Sequence, residues 1–254
     1  MVRMLRSAVF AVWFYAVTLA FCLGGVPVRL FARHRALALA KAWGRTVLAG
    51  LGPICGIRIV LTGWDRIPAD GPVLLAGQHQ SEFDTLVWIA LLDHPCYVLK
   101  QELTRIPLFG PLLILAGMIP VDRSGGAAAM RTMLQDAVRA AGRSGQIVIF
   151  PEGTRVAFGD TAPLQPGVAA IAARTGLPVL PVATDSGRCW PRGLLTKQPG
   201  VIRIAIGPPI GSDCRRAAIL AEVETFWRSQ GNAWQKAVDK SVEEVEASDT
   251  RHGI

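Results

Sequence analysis

VLLAGQHQSEFDTLVWIALLDHPCYVL, residues 73–99, decides the fold. Val73–Ala76 is an unbroken apolar run, too short for a helix, and reads as a strand buried on both faces. A polar loop follows from Gln78 to Glu82. Phe83–Leu92 is apolar at most positions and long enough for a helix, and Cys96–Leu99 is a second short apolar run. Strand, helix and strand in this order make a βαβ unit, whose two strands lie parallel.

The same alternation extends outward on both sides. Ile57–Leu61 reads as a strand closed by a Gly-Trp-Asp turn. Pro107–Leu115 is an apolar stretch, broken at Gly110 and Gly117, that leads into a run at Met118–Val121. In Ala127–Ala141 the residues Met130, Leu134 and Val138 recur four apart, the spacing of one helical face. Ile147–Phe150 is a strand that stops at Pro151, Gly167–Arg174 a short helix before Gly176, and Val179–Val182 and Val201–Ile206 two further strands. A charged helix and tail follow from Cys214. The expected class is α/β, with a largely parallel sheet flanked by helices and a site outside the carboxyl ends of its strands.

The N-terminal quarter has a different character. Ser7–Val28 carries no charge, and as a helix would run about 33 Å, enough for a hydrocarbon core of about 30 Å. Arg3 and Arg6 precede it, and Arg29, Arg33 and Arg35 follow. A cleaved signal peptide, a lipoprotein signal at Cys22 and a buried core helix are the competing readings. The stretch is long for a signal, no A-x-A-like site follows it cleanly, and Phe21 is too bulky for a lipobox. A second apolar stretch, Ala36–Cys55, places Lys41 and Arg45 on one helical face, where they would meet lipid phosphates. Basic residues at both ends of the first segment leave its orientation open. A helix pair that enters one leaflet and returns fits as well as a spanning helix. The domain plan is therefore a membrane anchor over residues 1–56, an α/β domain over 57–230 and a charged tail over 231–254.

Composition narrows the class. Apolar residues make up 51% of the 254-residue chain and charged residues 18%, which excludes a disordered chain. The net charge is +8, and eight basic residues precede the first acidic one, Asp65, so the whole excess lies in the apolar N-terminal quarter. That placement points to an anionic membrane rather than nucleic acid, and no zinc-finger spacing or RNP-type aromatic motif contradicts it. The five cysteines are odd in number and contain no C-x-x-C, which argues against a disulfide framework or a zinc ribbon.

Three motifs fall at or near expected strand ends. His79 and Asp84 form H-x4-D, in which an imidazole titrating near neutral pH faces a carboxylate able to fix its tautomer; a surface histidine beside a helix N-terminal aspartate gives the same pattern. His34, His94 and His252 lack such a carboxylate and read as surface residues. Phe150-Pro151-Glu152-Gly153-Thr154-Arg155 follows a strand directly. Its Arg155 offers a planar fork for phosphate, or else pairs with Glu152 to hold the turn. Lys100 and Arg123 bracket an apolar segment, as a ligand with a charged head and an apolar tail requires, or as a buried crossover with two wet ends would show.

As a set, these residues resemble the 1-acylglycerol-3-phosphate acyltransferase family, the PlsC-like glycerolipid acyltransferases. H-x4-D at His79 and Asp84, the K-x-E-L…I-P…G…G…D-R block from Lys100 to Arg123, F-P-E-G-T-R from Phe150 to Arg155 and the Val179-Leu180-Pro181-Val182 strand occur in family order over residues 57–210. The resemblance implies acyl transfer from acyl-CoA or acyl-carrier protein to lysophosphatidate, with no metal and no cofactor beyond that co-substrate. It makes His79 the general base and Asp84 its orienting partner. Lys100, Arg123 and Arg155 hold the glycerol phosphate, and Glu152, Gly153 and Thr154 shape its pocket. Two positions depart from the family pattern: Gln78 stands where Asn is common, and Pro166 where Lys frequently precedes Gly167.

The implied partners are membrane lipids, lysophosphatidate and the acyl donor, with no nucleic acid. The implied location is a bacterial-type inner membrane, catalytic domain on the cytoplasmic side. Rival readings are an acyltransferase for another lyso-lipid, such as lyso-ornithine lipid, and a non-catalytic membrane-binding module. A hydrolase lacks a G-x-S-x-G elbow, although Ser81 lies near His79, and no P-loop or G-x-G-x-x-G supports a nucleotide-dependent class.

Overall fold

The computed structural model describes residues 1–251, and side chains through residue 239. His252 lies outside the described residues. The strands are β1 (Ile57–Thr62), β2 (Val73–Gly77), β3 (Pro95–Lys100), β4 (Ile119–Val121), β5 (Gln146–Ile149), β6 (Val179–Thr184) and β7 (Gly200–Ile206). They form one seven-stranded sheet in the order β1-β7-β6-β2-β5-β3-β4. Every neighbouring pair is parallel except β6 and β7. Among the described residues the helices are α1 (Val2–Phe31), α2 (Ala36–Ala49), α3 (Phe83–Leu91), α4 (Phe109–Leu115), α5 (Gly126–Ala141), α6 (Gly167–Thr175), the single turn α7 (Ser186–Cys189) and α8 (Arg216–Arg251). The βαβ unit read from residues 73–99 is β2-α3-β3.

The sheet has a core on each face, which explains why β2 reads as a continuous apolar run. Val73 and Leu75 point into the layer formed with α1, α2 and α3, and Leu74 and Ala76 into the layer formed with α5, α6 and α8. All five β2 residues are buried. With β5 and β6 as its neighbours, β2 sits at the centre, and the carboxyl ends of β2, β3, β4 and β5 open on one edge.

Both cations of the basic face of α2 have partners within the protein. The Lys41 ammonium donates to the Asp93 carbonyl at 3.1 Å and to its carboxylate at 3.2 Å, and Arg45 Nε donates to the Ala90 carbonyl at 3.0 Å. The side chain of Lys41 is only 15% exposed. The last carbonyls of α3 have no partner within their own helix and carry the negative end of its dipole, so Arg45 caps the helix at Ala90 and Lys41 sits just beyond it at Asp93. The helices approach closely at Gly44, where a Cβ would fall 2.6 Å from Ile89 Cγ2.

Helix α1 is long and apolar enough to cross a membrane. Its Ser7, Phe10, Ala11, Val17 and Cys22 are buried against the rest of the protein. Leu5, Val9, Val12, Leu19, Leu23, Val26 and Leu30 are exposed, and their three-to-four spacing makes them a second, unpartnered apolar stripe. Phe10 meets Trp190 edge-on at 5.2 Å, and the buried Lys197 ammonium lies 5.2 Å from the Phe10 ring and 4.6 Å from the Trp190 ring. This clamp joins α1 to the loop before β7. Burial pushes the Lys197 ammonium below its ordinary range. At the other end of the chain, α8 passes residue 231 without a break, so the expected tail begins as a continuation of that helix.

Trp190 is 3% exposed and holds both partners of the clamp. Trp190→Ala should lower unfolding free energy by about 3–5 kcal/mol, and Trp190→Phe should recover most of it. Denaturant titration in detergent measures both, and a loss below about 1 kcal/mol for the alanine variant would show that the clamp does not hold α1.

Candidate active site

The loop after β2 places His79 two residues beyond the strand, and α3 begins four residues later. Asp84, in the first turn of α3, is 2% exposed. Its Oδ2 accepts the backbone N–H groups of Gln80 at 2.6 Å and Ser81 at 2.8 Å, and lies 3.4 Å from His79 Nδ1. The carboxylate therefore does two things: it folds the loop onto the helix start, and it sets the side of the imidazole facing it. Nδ1 is then the donor and Nε2 the basic nitrogen. The His79 ring stacks on Phe150, with centroids 4.4 Å apart and planes 22° apart.

The second loop leaves β5 at Phe150. Gly153 has φ of +70°, a conformation that favours glycine, and its N–H closes the turn on the Phe150 carbonyl at 3.0 Å. Glu152 lies behind His79 and, with Arg123, Gly153 and Thr154, lines a hollow of about 450 Å³. Its Oε2 accepts the His79 backbone N–H at 2.6 Å. Burial pushes its carboxyl up to about 7, the nearby Asp84 carboxylate adds to the rise, and the bond from His79 opposes it. The Val156 N–H donates to the His79 carbonyl at 2.7 Å, so the backbone of His79 is held from both sides.

A cleft of about 490 Å³ brings His79, Lys100, Arg123, Gly153, Thr154 and Arg155 to one wall system. Its other lining is apolar: Trp43, Ile89, Phe109, Leu113 and Met118 also line a slot of about 60 Å³ between α1, α2 and α4. One end is thus cationic and the other apolar, with the imidazole between. Each cation has a partner within the chain. Lys100 pairs with Glu102 at 3.2 Å, Arg123 donates to the Gly153 carbonyl, and Arg155 pairs with Glu82. The pairing of Arg155 with Glu152 weighed from the sequence is replaced by this longer reach to Glu82, because Glu152 is already committed to the backbone of His79.

Phe150, which lines the cleft, and Glu82, which pairs with Arg155 from outside its lining, are given no role by the sequence reading. Both lie inside motifs it quoted, one beginning F-P-E-G-T-R and the other between His79 and Asp84. Of the two departures from the family pattern, Gln78 accepts the Thr184 N–H at 3.0 Å and binds the loop to the end of β6. Pro166 precedes α6 and lines a neighbouring hollow of about 450 Å³, where it brings no charge.

Comparison with known proteins shows the family. The sequence model of the family described as Acyltransferase matches residues 58–185, which contain both loops. The chain is 32% identical over 249 residues to a 1-acyl-sn-glycerol-3-phosphate acyltransferase of Pseudomonas aeruginosa, covering 96% of this chain and 94% of that protein. It is 39% identical over 131 residues to the protein of that name from Borreliella burgdorferi, covering 51% and 52%. The crystal structure of the 1-acyl-sn-glycerophosphate acyltransferase PlsC from Thermotoga maritima superposes with a TM-score of 0.74 at 22% identity, over 92% of this chain and 98% of that one, and so shares the fold. With the family's motifs assembled at the carboxyl ends of central parallel strands, the chain belongs to the acyltransferase family and is an acyltransferase.

Proposed function

We propose that this acyltransferase moves a fatty acyl chain from acyl-CoA or acyl-carrier protein to the sn-2 hydroxyl of lysophosphatidate, forming phosphatidate for phospholipid synthesis. The observation that carries the reading is the position of His79. It stands between a cationic wall and an apolar slot, with a buried carboxylate beside Nδ1. Similarity to enzymes named for this substrate supports the choice of acceptor.

In this reading the acceptor's phosphate lies against Lys100, Arg123 and Arg155, and Thr154 and the Gly153 turn border it. The thioester's acyl chain runs past Trp43 and Phe109 into the slot. His79 Nε2 takes the proton of the hydroxyl as its oxygen attacks the thioester carbonyl. The tetrahedral intermediate collapses with cleavage of the C–S bond, and the imidazolium returns the proton to the departing thiolate. Asp84 stabilises the imidazolium formed between these steps. Alignment of two substrates in one cleft supplies the rest of the acceleration.

We further infer that α1 seats in one leaflet of a bacterial-type inner membrane, with the catalytic domain on the cytoplasmic side. Its exposed apolar stripe, with arginines at both ends, supports this, and its other face is covered by protein.

His79→Ala should lower turnover by at least about 10²–10⁴-fold with the fold retained. Asp84→Asn is the companion, because Asp84→Ala would leave two buried N–H groups without an acceptor, at about 1–3 kcal/mol each. A panel of lyso-acceptors with acyl-CoA, assayed in mixed micelles, tests the activity and the acceptor together. More than a tenth of wild-type turnover in His79→Ala would remove the general base, and faster acylation of lyso-ornithine lipid would replace the acceptor.

Arg155→Lys should raise the acceptor KM roughly ten- to a hundredfold and leave the donor KM nearly unchanged, since an ammonium cannot grip two phosphate oxygens at once. Steady-state kinetics with each substrate varied in turn measures it, and equal rises for both substrates would remove Arg155 from the headgroup.

Glu152 sets a pH dependence. The folded protein keeps its proton up to about pH 7, whereas the ordinary value is 4.5. Stability is therefore undiminished below pH 4.5, falls as pH rises from there to about 7, and stays lowered above. Glu152→Gln keeps an acceptor for the His79 N–H and does not titrate. Its stability relative to wild type should climb across that window by on the order of 1–3 kcal/mol and then level off. Thermal unfolding at a series of pH values reads the difference, and a flat line would show that Glu152 is already ionised in the folded protein.

A further inference from the structure

Two glutamates lock the loops after β2 and β5 together in opposite directions. Glu152 reaches from the second loop to the backbone of His79, and Glu82 reaches from the first loop to the guanidinium of Arg155. Glu82 is one of the four residues between His79 and Asp84 and is absent from the set of residues expected to act. Its pairing is incomplete. Oε1 meets Arg155 Nη1, while Oε2 is shut away from water without a hydrogen-bond partner among the described residues. A carboxylate oxygen so placed weakens the arrangement that holds it. The two side chains are 43% and 35% exposed, so solvent screens the pair and it is readily exchanged.

Arg155 lines the cleft that holds His79. A phosphate that grips the guanidinium with two oxygens meets the carboxylate that already holds Nη1, and two anions on one guanidinium repel each other. We propose that Glu82 is a specificity-determining residue, an internal competitor that the acceptor's anionic headgroup must displace from Arg155. This rests on the reading of Arg155 as a phosphate holder. It makes acceptor affinity depend on headgroup charge: a dianionic phosphate displaces the carboxylate, and an uncharged headgroup leaves the pair closed. Glu82 thereby acts on acceptor binding and not on the proton transfer at His79.

The test is a double-mutant cycle of the full-length protein in mixed micelles with Glu82→Gln, Arg155→Gln and both, using lysophosphatidate and uncharged monoacylglycerol as acceptors. Glu82→Gln should lower the lysophosphatidate KM on the order of three- to tenfold, with kcat changed less than twofold, and leave the monoacylglycerol KM unmoved. The gain should shrink in high salt and vanish on the Arg155→Gln background. A raised or unchanged lysophosphatidate KM in Glu82→Gln, while Arg155→Gln raises it, would overturn the competition and leave the phosphate reading standing. An unchanged KM in Arg155→Gln would overturn both. If Glu82→Gln fails to fold, Glu82→Asp, which withdraws the carboxylate by one methylene, must show a smaller fall in the same direction, and no fall overturns the proposal.

Discussion

A carboxylate at 2% exposure persists only where donors meet it, and the loop between β2 and α3 is built around that constraint. Asp84 accepts two backbone N–H groups from the loop that carries His79, so the loop cannot leave the start of α3 without stranding a buried charge. The same oxygen lies beside Nδ1. One anion therefore fixes the backbone of the loop and the side of the imidazole that faces it. Phe150 completes the placement by stacking on the ring, and Glu152 by holding the N–H of His79.

The cations of the cleft are arranged differently. Lys100, Arg123 and Arg155 come from the ends of three strands and meet at one wall because β3, β4 and β5 run in the same direction. None of them faces the cleft as a free charge. Arg123 holds the Gly153 turn in shape, and Lys100 and Arg155 are each matched by a glutamate. A wall balanced in this way keeps its geometry without a ligand, and a phosphate gains only the difference between its own contacts and those it replaces.

The N-terminal helices are part of the site. Trp43 of α2 and Phe109 of α4 line both the cleft and the apolar slot, and α1 closes that slot with Thr18, Phe21 and Cys22. The Trp190 and Lys197 clamp and the caps supplied by Lys41 and Arg45 fix these helices to the body. Helix α1 thus presents one apolar face to protein and another outward, which explains why its sequence is apolar all round.

The alternation of strands and helices, the run buried on both faces at Val73–Ala76 and the motifs at strand ends were legible in the sequence, because hydrophobic period and strand-end chemistry are local properties. The family resemblance rested on the same local motifs, and so did the choice of His79 and Asp84. Pairings between distant segments were not legible. The spacing of Lys41 and Arg45 shows only that they share a face, and the tertiary structure gave them the carbonyls of Asp93 and Ala90 as partners. Glu152 and Glu82 carry no sign in the sequence of which donor each will meet. Packing β2 beside β5 decided it, by bringing the His79 N–H to one glutamate and leaving Arg155 to the other.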